Sequence, residues 1–401
     1  MRLRACGDPT QTVRLVSGSA SRERCTLAQQ QSKAPAKPAS ISSSRVGVQD
    51  VADALGISRG TVDRALNGRH GVNPETKLRV LRAAQKLGYR PNLAARYLSS
   101  SKPITIGLAI PREVAYFYDE VRDGIFEAAS IFEPLGVKIL HRPYKCFGQH
   151  EFEAVRDVLQ EEISGLVISP AYPNRLLPCI EEAARRNVPV VCVATDAPGT
   201  KRLTSISVNP LVSGALAGEL LGYFLPDNAE VIVFIGMHAT ADHEQKLQSF
   251  RTSFRSFCPK GRIGAVVEAH DDATEAYRKS RSVLEQHPAV KGIYVATANS
   301  MPVIRAMEEL GRTHKIKVIT TDLFPAMFPH LRSSAIAATI YQRAREQGAM
   351  AFQAIVRFLT EKLQPPPQIS INPAIVMRSN LDLFIPNEPS ASEVSVRRQK
   401  G

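Results

Sequence analysis

From residue 103 onward the chain alternates short apolar runs with amphipathic stretches, and this alternation limits the possible fold more than any other feature. The apolar runs fall at residues 104–110, 137–140, 165–169, 190–193, 231–235, 263–267, 292–295, 316–320 and 337–340. Each is too short for a helix and reads as a strand, and stretches with helical periodicity separate most of them. A repeat of strand and helix predicts parallel sheets covered by helices on both faces. Roughly nine or ten strands in about 280 residues suit two lobes better than one sheet.

The residues ahead of this region differ first in charge. Residues 1–102 carry 18 Lys and Arg against 6 Asp and Glu, and residues 103–401 carry 33 against 32. Nearly all of the formal net charge of +13 therefore sits in the first quarter of the chain. A basic segment on a near-neutral body points to a head that binds a polyanion. Inside it, Val48, Val51, Ala52 and Leu55 repeat with a helical period that Gly56 breaks. Ser58 caps a second helix predicted over 59–66, with Val62, Ala65 and Leu66 facing inward, and Asn67-Gly68 ends it. Asn73 and Pro74 open a third helix, with Leu78, Leu81, Ala84 and Leu87 as its expected apolar stripe and Gly88 as its end. Three short helices, the first two joined by a glycine turn, describe a helix-turn-helix unit.

Residues 1–44 are rich in Ser, Gln, Ala, Arg and Pro without an apolar period and read as a disordered extension. Residues 387–401 read as a polar, basic tail. The cysteines, Cys6, Cys25, Cys146, Cys179, Cys192 and Cys258, form no CxxC pair, which favours reduced thiols over a disulfide framework. No apolar run approaches the ~20 residues of a membrane span, and the first residues lack the apolar core of a secretion signal. A cytoplasmic protein is expected.

Residues 48–98 carry the strings D-V-A-x-x-L-G-I-S, T-V-x-R-A-L-N-G, V-N-P-E-T-x-x-R-V and L-G-Y-R-P-N-x-x-A-R-x-L. This segment resembles the head of the lactose-repressor (LacI/GalR) family of transcription regulators. The resemblance implies that Arg59, Gly60 and Arg64 occupy base-reading positions of the second helix, with Ser58, Thr61 and Asn67 also at the DNA. The chemistry agrees, because Arg suits bidentate contact with guanine and small hydroxyls suit phosphates. Gly47 stands where relatives place a Thr or Ser cap, and Asp63 where they often carry Ser. Residues 91–102 resemble the family's hinge helix and linker: Asn92 would cap the helix, Ala95 would let its twin approach, and Leu98 would wedge into a minor-groove step. A homodimer on a pseudo-palindromic operator in double-stranded DNA follows from that geometry.

Residues 103–386 resemble the ribose-type periplasmic binding proteins that form the core of this family. The resemblance is clearest at I-T-I-G-L-A-I (104–110), V-P-V-V-C-V-A-T-D-A-P (188–198) and A-T-I-Y-Q (338–342). It implies a first lobe over about 103–207 and 343–365 and a second over about 208–342 and 366–386. It also implies a ligand cleft between them, beyond the carboxyl ends of the strands. A sugar needs aromatic faces and polar groups, and Phe117, Tyr118, Asp196, Lys246, Asn299, Asp322 and Gln342 each stand at matching positions. Ala194 departs from ribose-type relatives, which often carry an acid there.

The expected fold is thus an all-α helix-turn-helix head on a two-lobed α/β core. The expected function is DNA-binding transcription regulation, with repression favoured, under control of a sugar or polyol. A purine or nucleoside effector and a transport receptor are alternatives. No GxSxG, GxxxxGK[ST] or GxGxxG motif supports an enzyme. No cofactor is expected, and His238 and His243 lack the spacing of a metal pair.

Overall fold

The computed structural model describes residues 46–66, 70–87, 89 and 103–385. They belong to two compact units, Met1–Pro91 and Asn92–Gly401. Asn67, Gly68, Gly88, Asn92, Ala95 and Leu98, the 1–44 extension and the 387–401 tail lie outside the described residues.

The first unit holds α1 (Val48–Leu55), α2 (Arg59–Leu66) and α3 (Pro74–Lys86). Gly47 has no side chain to cap α1, but the Asp50 carboxylate accepts its backbone N–H at 2.7 Å and closes the first turn from inside. Gly56 ends α1 in the left-handed region at φ 64°. Ser58 Oγ accepts from the Thr61 N–H at 3.2 Å, and Asn73 Oδ1 from the Glu75 N–H at 2.9 Å. The core is Val51, Ala52, Val62, Ala65, Val80 and Ala84. This corrects the expected stripe of α3: Leu78, Leu81 and Leu87 are 54%, 43% and 39% exposed, and only Ala84 of that set is buried. Every fully buried side chain there is Val or Ala, with Leu55, Ile57 and Leu66 packed against them. The face of α3 with its small side chains fits there, and the leucine face turns outward.

The second unit has two six-stranded sheets. The first contains β1 (Ile104–Ala109), β2 (Val137–His141), β3 (Gly165–Ile168), β4 (Val190–Val193), β5 (Thr204–Val208) and β11 (Gln368–Ile371). Its order is β11-β5-β4-β3-β1-β2, parallel throughout. The second contains β6 (Glu230–Ile235), β7 (Arg262–Glu268), β8 (Gly292–Val295), β9 (Lys317–Thr321), β10 (Ala338–Tyr341) and β12 (Ala374–Val376). Its order is β12-β10-β9-β8-β6-β7, with only the β10–β12 pair antiparallel. The placement of 366–386 in the second lobe is therefore corrected. β11 pairs with β5 in the first sheet, and the chain crosses to the second lobe only between Ile371 and Ala374.

Helices α4 (Ala115–Phe132) and α12 (Ala344–Glu361) cover one face of the first sheet, and α5 (Glu151–Leu159) and α6 (Pro173–Arg185) the other. On the second sheet α7 (Pro210–Phe224) and α8 (Ala241–Phe257) share one face. The opposite face carries α9 (Ala273–Gln286), α10 (Ser300–Glu309) and the short α11 (Phe328–Arg332). The α7–α8 contact is unusually close: a Cβ at Gly214 would stand 2.0 Å from the Lys246 carbonyl oxygen. Gly214→Ala should force the two helices apart and lower stability by about 1–3 kcal/mol. A thermal denaturation midpoint unchanged from the parent would contradict this packing.

Candidate functional site

A cavity of about 40 Å³ lies between the two lobes. Its second-lobe wall is made by side chains that follow strand ends, where open α/β sheets gather ligand groups. Asp271 follows β7, Thr297 follows β8, Asp322 follows β9 and Gln342 follows β10. The first turns of α8 add Asp242, His243 and Lys246. The first lobe contributes Phe117 and Tyr118 from the start of α4, Phe147, and Ala194 and Thr195 just after β4.

The polar groups form one chain of hydrogen bonds. Gln342 Nε2 donates to Asp322 Oδ1 at 2.8 Å, and Lys246 Nζ donates to Gln342 Oε1 at 2.7 Å. The same ammonium stands 2.6 Å from Asp242 Oδ2. Lys246 is only 1% exposed, so its charge depends on these two partners. Burial raises the Asp322 carboxyl to about 7, with Asp242 and Asp271 pushing the same way and Gln342 and Lys246 opposing. Asp322 also adopts φ 68°, a left-handed backbone rare outside glycine, held by its N–H to Ile340 O at 3.0 Å.

Three carboxylate oxygens, Asp242 Oδ1, Asp271 Oδ1 and Asp322 Oδ2, are buried with no hydrogen-bond partner among the described residues. A buried acceptor left this way costs ~1–3 kcal/mol, so the wall is arranged to receive donors. His243 Nδ1 accepts the Met237 backbone N–H at 3.0 Å, which leaves the ring proton on Nε2, 3.9 Å from Asp271 Oδ2. The opposite wall is aromatic. Tyr118 meets Phe117 edge-on at 5.1 Å and Phe147 at 5.8 Å, and its hydroxyl pairs with Ser169 Oγ at 3.1 Å. Burial raises the Tyr118 phenol well above its ordinary range, so it stays a neutral partner.

The cavity brings together Phe117, Tyr118, Lys246, Asp322 and Gln342. It does not include Asp196 or Asn299. The Asp196 carboxylate is used within its own loop, accepting from the Ala197 N–H at 2.7 Å and from Arg202 Nη2 at 2.6 Å. Arg202 in turn donates to Pro367 O at 2.7 Å, so the pair ties this loop to the segment before β11. Asn299 sits at the N-cap of α10, with its N–H bonded to Thr297 Oγ1 at 3.0 Å. Sequence reasoning missed Asp242, His243, Asp271 and Phe147. Asp271 sits three residues past β7 and was open to the same strand-end rule, and Asp242 lies one helical turn before Lys246.

In the head, Ser58, Arg59, Gly60 and Arg64 are exposed and Thr61 is half-buried. They lie along α2, whose Val62 and Ala65 are buried. The Ser58 and Thr61 hydroxyls pair at 2.8 Å and hold the first turn of α2 in place. Among the described residues there is no group of three His, Cys, Asp or Glu that could hold a metal ion, and no helix long and apolar enough to cross a membrane.

Residues 47–92 match the bacterial regulatory proteins of the lacI family, and residues 106–363 match the periplasmic binding protein domain. Catabolite control protein A of Priestia megaterium is 24% identical over 327 residues, 79% of this chain and 93% of that protein. The HTH-type transcriptional repressor PurR of Edwardsiella ictaluri is 24% identical over 347 residues, 83% of this chain and 96% of that protein. Among solved structures, an ABC transporter solute binding protein of Burkholderia graminis in complex with D-arabinose superposes with a TM-score of 0.65 at 20% identity. That likeness covers 71% of this chain and 98% of that one, and it concerns the fold. Head and core together carry both parts of one architecture: the chain belongs to the lacI family of bacterial regulatory proteins, DNA-binding transcription regulators with a periplasmic-binding-protein core.

Proposed function

We propose that this regulator is a cytoplasmic repressor whose affinity for operator DNA is set by a small polyhydroxy effector held between the core lobes. The observation that carries this reading is the trio of buried, donor-lacking carboxylate oxygens facing an aromatic wall. A polyol supplies hydroxyl donors to such oxygens and C–H faces to the rings. A nucleobase carries ring nitrogens and carbonyls fixed as acceptors, whereas a hydroxyl can turn its proton toward a carboxylate, so a base suits this wall less. A transport receptor has no use for a helix-turn-helix head. Relatives carrying both parts are named as regulators, which supports binding without chemistry.

The cavity volume of about 40 Å³ has room for two or three waters, whereas a sugar ring of about a dozen heavy atoms needs more. Effector entry therefore requires the lobes to separate. Contacts that span the cleft would loosen: Thr240 Oγ1 to Ala171 O at 3.0 Å, and Phe147 against His243 at 6.3 Å. Differential affinity for the two lobe spacings is what lets an effector control the head. Arg59 and Arg64 are proposed to read bases, with Gly60 allowing close approach and Ser58 and Thr61 at phosphates. Asn67, Asn92, Ala95 and Leu98 retain the roles the resemblance implies, on a homodimer and a pseudo-palindromic site.

The test has two arms. A thermal-shift screen of the full chain against pentoses, hexoses, polyols and nucleobases should find a stabilising sugar or polyol. A response to nucleobases alone would replace the effector class. With an operator selected from random duplexes, Arg64→Ala should weaken binding by about ten- to a hundredfold and relax selectivity at one base pair. Affinity measured by fluorescence anisotropy should fall steeply from 50 to 200 mM salt, as about six or more phosphate contacts require. Salt-independent affinity would remove the basic head from the DNA contact.

A further inference from the structure

Beside the polar cavity lies a larger hollow of about 190 Å³. Six aromatic rings line it: Tyr116 and Phe117 from the first lobe, and Phe324, Phe328, Tyr341 and Phe384 from the second. Phe117 and Asp322 line both spaces, so the two adjoin through a shared wall. Tyr116 stacks on Phe324 across the lobes, with centroids 4.1 Å apart and planes 9° from parallel. Tyr341 meets Phe384 edge-on at 5.7 Å. Phe117 and Phe324 are buried, Phe328, Tyr341 and Phe384 pack against the second-lobe core with part of their surface open, and Tyr116 is 51% exposed.

The walls, six rings with the two acids Glu120 and Asp322, narrow the occupant. Glu120 accepts from Arg345 at 2.8 and 3.2 Å, and the same guanidinium also binds Asp123 at 3.0 Å and Glu127, so Glu120 is a paired acid. Asp322, the other acid, is held toward its neutral form by burial. A neutral apolar group finds in these rings the faces it needs. Asp322, whose buried Oδ2 lacks a donor among the described residues, lines both spaces, so a ligand spanning them would pass it with a hydroxyl to offer.

We propose that the effector is a glycoside: a sugar ring in the polar cavity whose aryl or alkyl substituent occupies the aromatic hollow. The proposal rests on the polyol reading of the cleft. A hydroxyl of the ring donates to Asp322 Oδ2 at the junction, and the substituent lies among Phe328, Tyr341 and Phe384. Free monosaccharides fill only the polar part and bind more weakly.

Isothermal titration of the full-length protein with paired methyl and phenyl glycosides of glucose, galactose, mannose, xylose and arabinose tests this. In at least one pair the phenyl member should bind about tenfold or more tightly than the methyl member, as burial of a phenyl ring predicts. Phe384→Ala and Phe328→Ala should collapse that phenyl-to-methyl ratio toward one. Phe384→Leu and Phe328→Leu, which keep more of the volume, should lower the ratio by a smaller amount if the alanine variants fail to fold. Equal affinity of methyl and phenyl members for every sugar that binds overturns the glycoside proposal and leaves the polyol reading standing. A ratio unaffected by all four variants overturns it too, by placing the ring elsewhere. Binding by no free sugar, methyl glycoside or phenyl glycoside overturns both.

Discussion

Replacing Lys246 by Met should destabilise the core by about 3–5 kcal/mol, the usual cost of removing one partner of a buried ion pair. Among the described residues Lys246 is the only Lys or Arg lining the cavity, and its ammonium stands 2.6 Å from Asp242 Oδ2. Asp242 Oδ1 already lacks a donor among the described residues, so without Lys246 the buried carboxylate would have neither oxygen satisfied. Gln342 would also lose the donor to its Oε1, which loosens its hold on Asp322. Effector binding should fall with it. The second variant that completes the argument is Asp242→Asn combined with Lys246→Met, which removes both charges and should recover most of the loss. Thermal unfolding of the single and double variants measures the coupling directly. A single variant as stable as the parent would mean that Asp242 does not depend on this cation.

Asp322→Asn should remove a pH dependence from both stability and binding. The carboxyl rises to about 7 in the folded chain, against ~3.9 for an unfolded Asp. The folded state therefore holds the proton more tightly. Its contribution to stability is fully present below about pH 4, shrinks as pH rises, and is lost above about pH 7. The free energy involved is of order 4 kcal/mol. Asn has no proton to lose, so the variant's stability should be flatter across that window. Binding should run the other way. A hydroxyl donated to Oδ2 favours the ionised carboxylate, so effector affinity should increase from pH 5 to 8 as the proton leaves. Calorimetry at pH 6 in two buffers of different ionisation enthalpy should detect proton release on binding, and Asp322→Asn should abolish it. An affinity flat in pH would show that the ligand does not engage Asp322 as an anion.

The head was legible almost to the residue because its signals are local. Gly56, Ser58, Asn73 and Pro74 act on their own backbone, and α1 and α2 run over the expected 48–55 and 59–66. Which face of α3 turns inward was not local. Leucines and the Val80–Ala84 pair share the helical period, and the choice depends on how closely α1 and α2 approach. In the core, apolar strands announced themselves, whereas β5 reads T-S-I-S-V and did not. Its Thr204, Ser205 and Ser207 are buried between β4 and β11, and that neighbour is encoded far downstream. The site divided in the same way. Strand-end position located Asp322 and Gln342, but Asp196 follows a strand too and is turned into its loop by Arg202. Strand-end position specifies where a side chain begins, and the partner that captures it comes from another part of the chain.

The pairing of β11 with β5 also sets an order of events for a chain leaving the ribosome. β1 to β5 are synthesised first, yet their sheet remains open at β5 until Gln368–Ile371 arrive, after ten of the twelve strands have been made. Helix α12, which covers one face of that sheet, comes almost as late. During translation the first lobe thus presents an unpaired edge and an apolar face covered by α4 alone while the second lobe is being built. Loop-closure entropy for so distant a contact must be met before the sheet gains from it, which favours slow completion and exposure to aggregation. Translation stopped within the second lobe would leave the first incomplete as well.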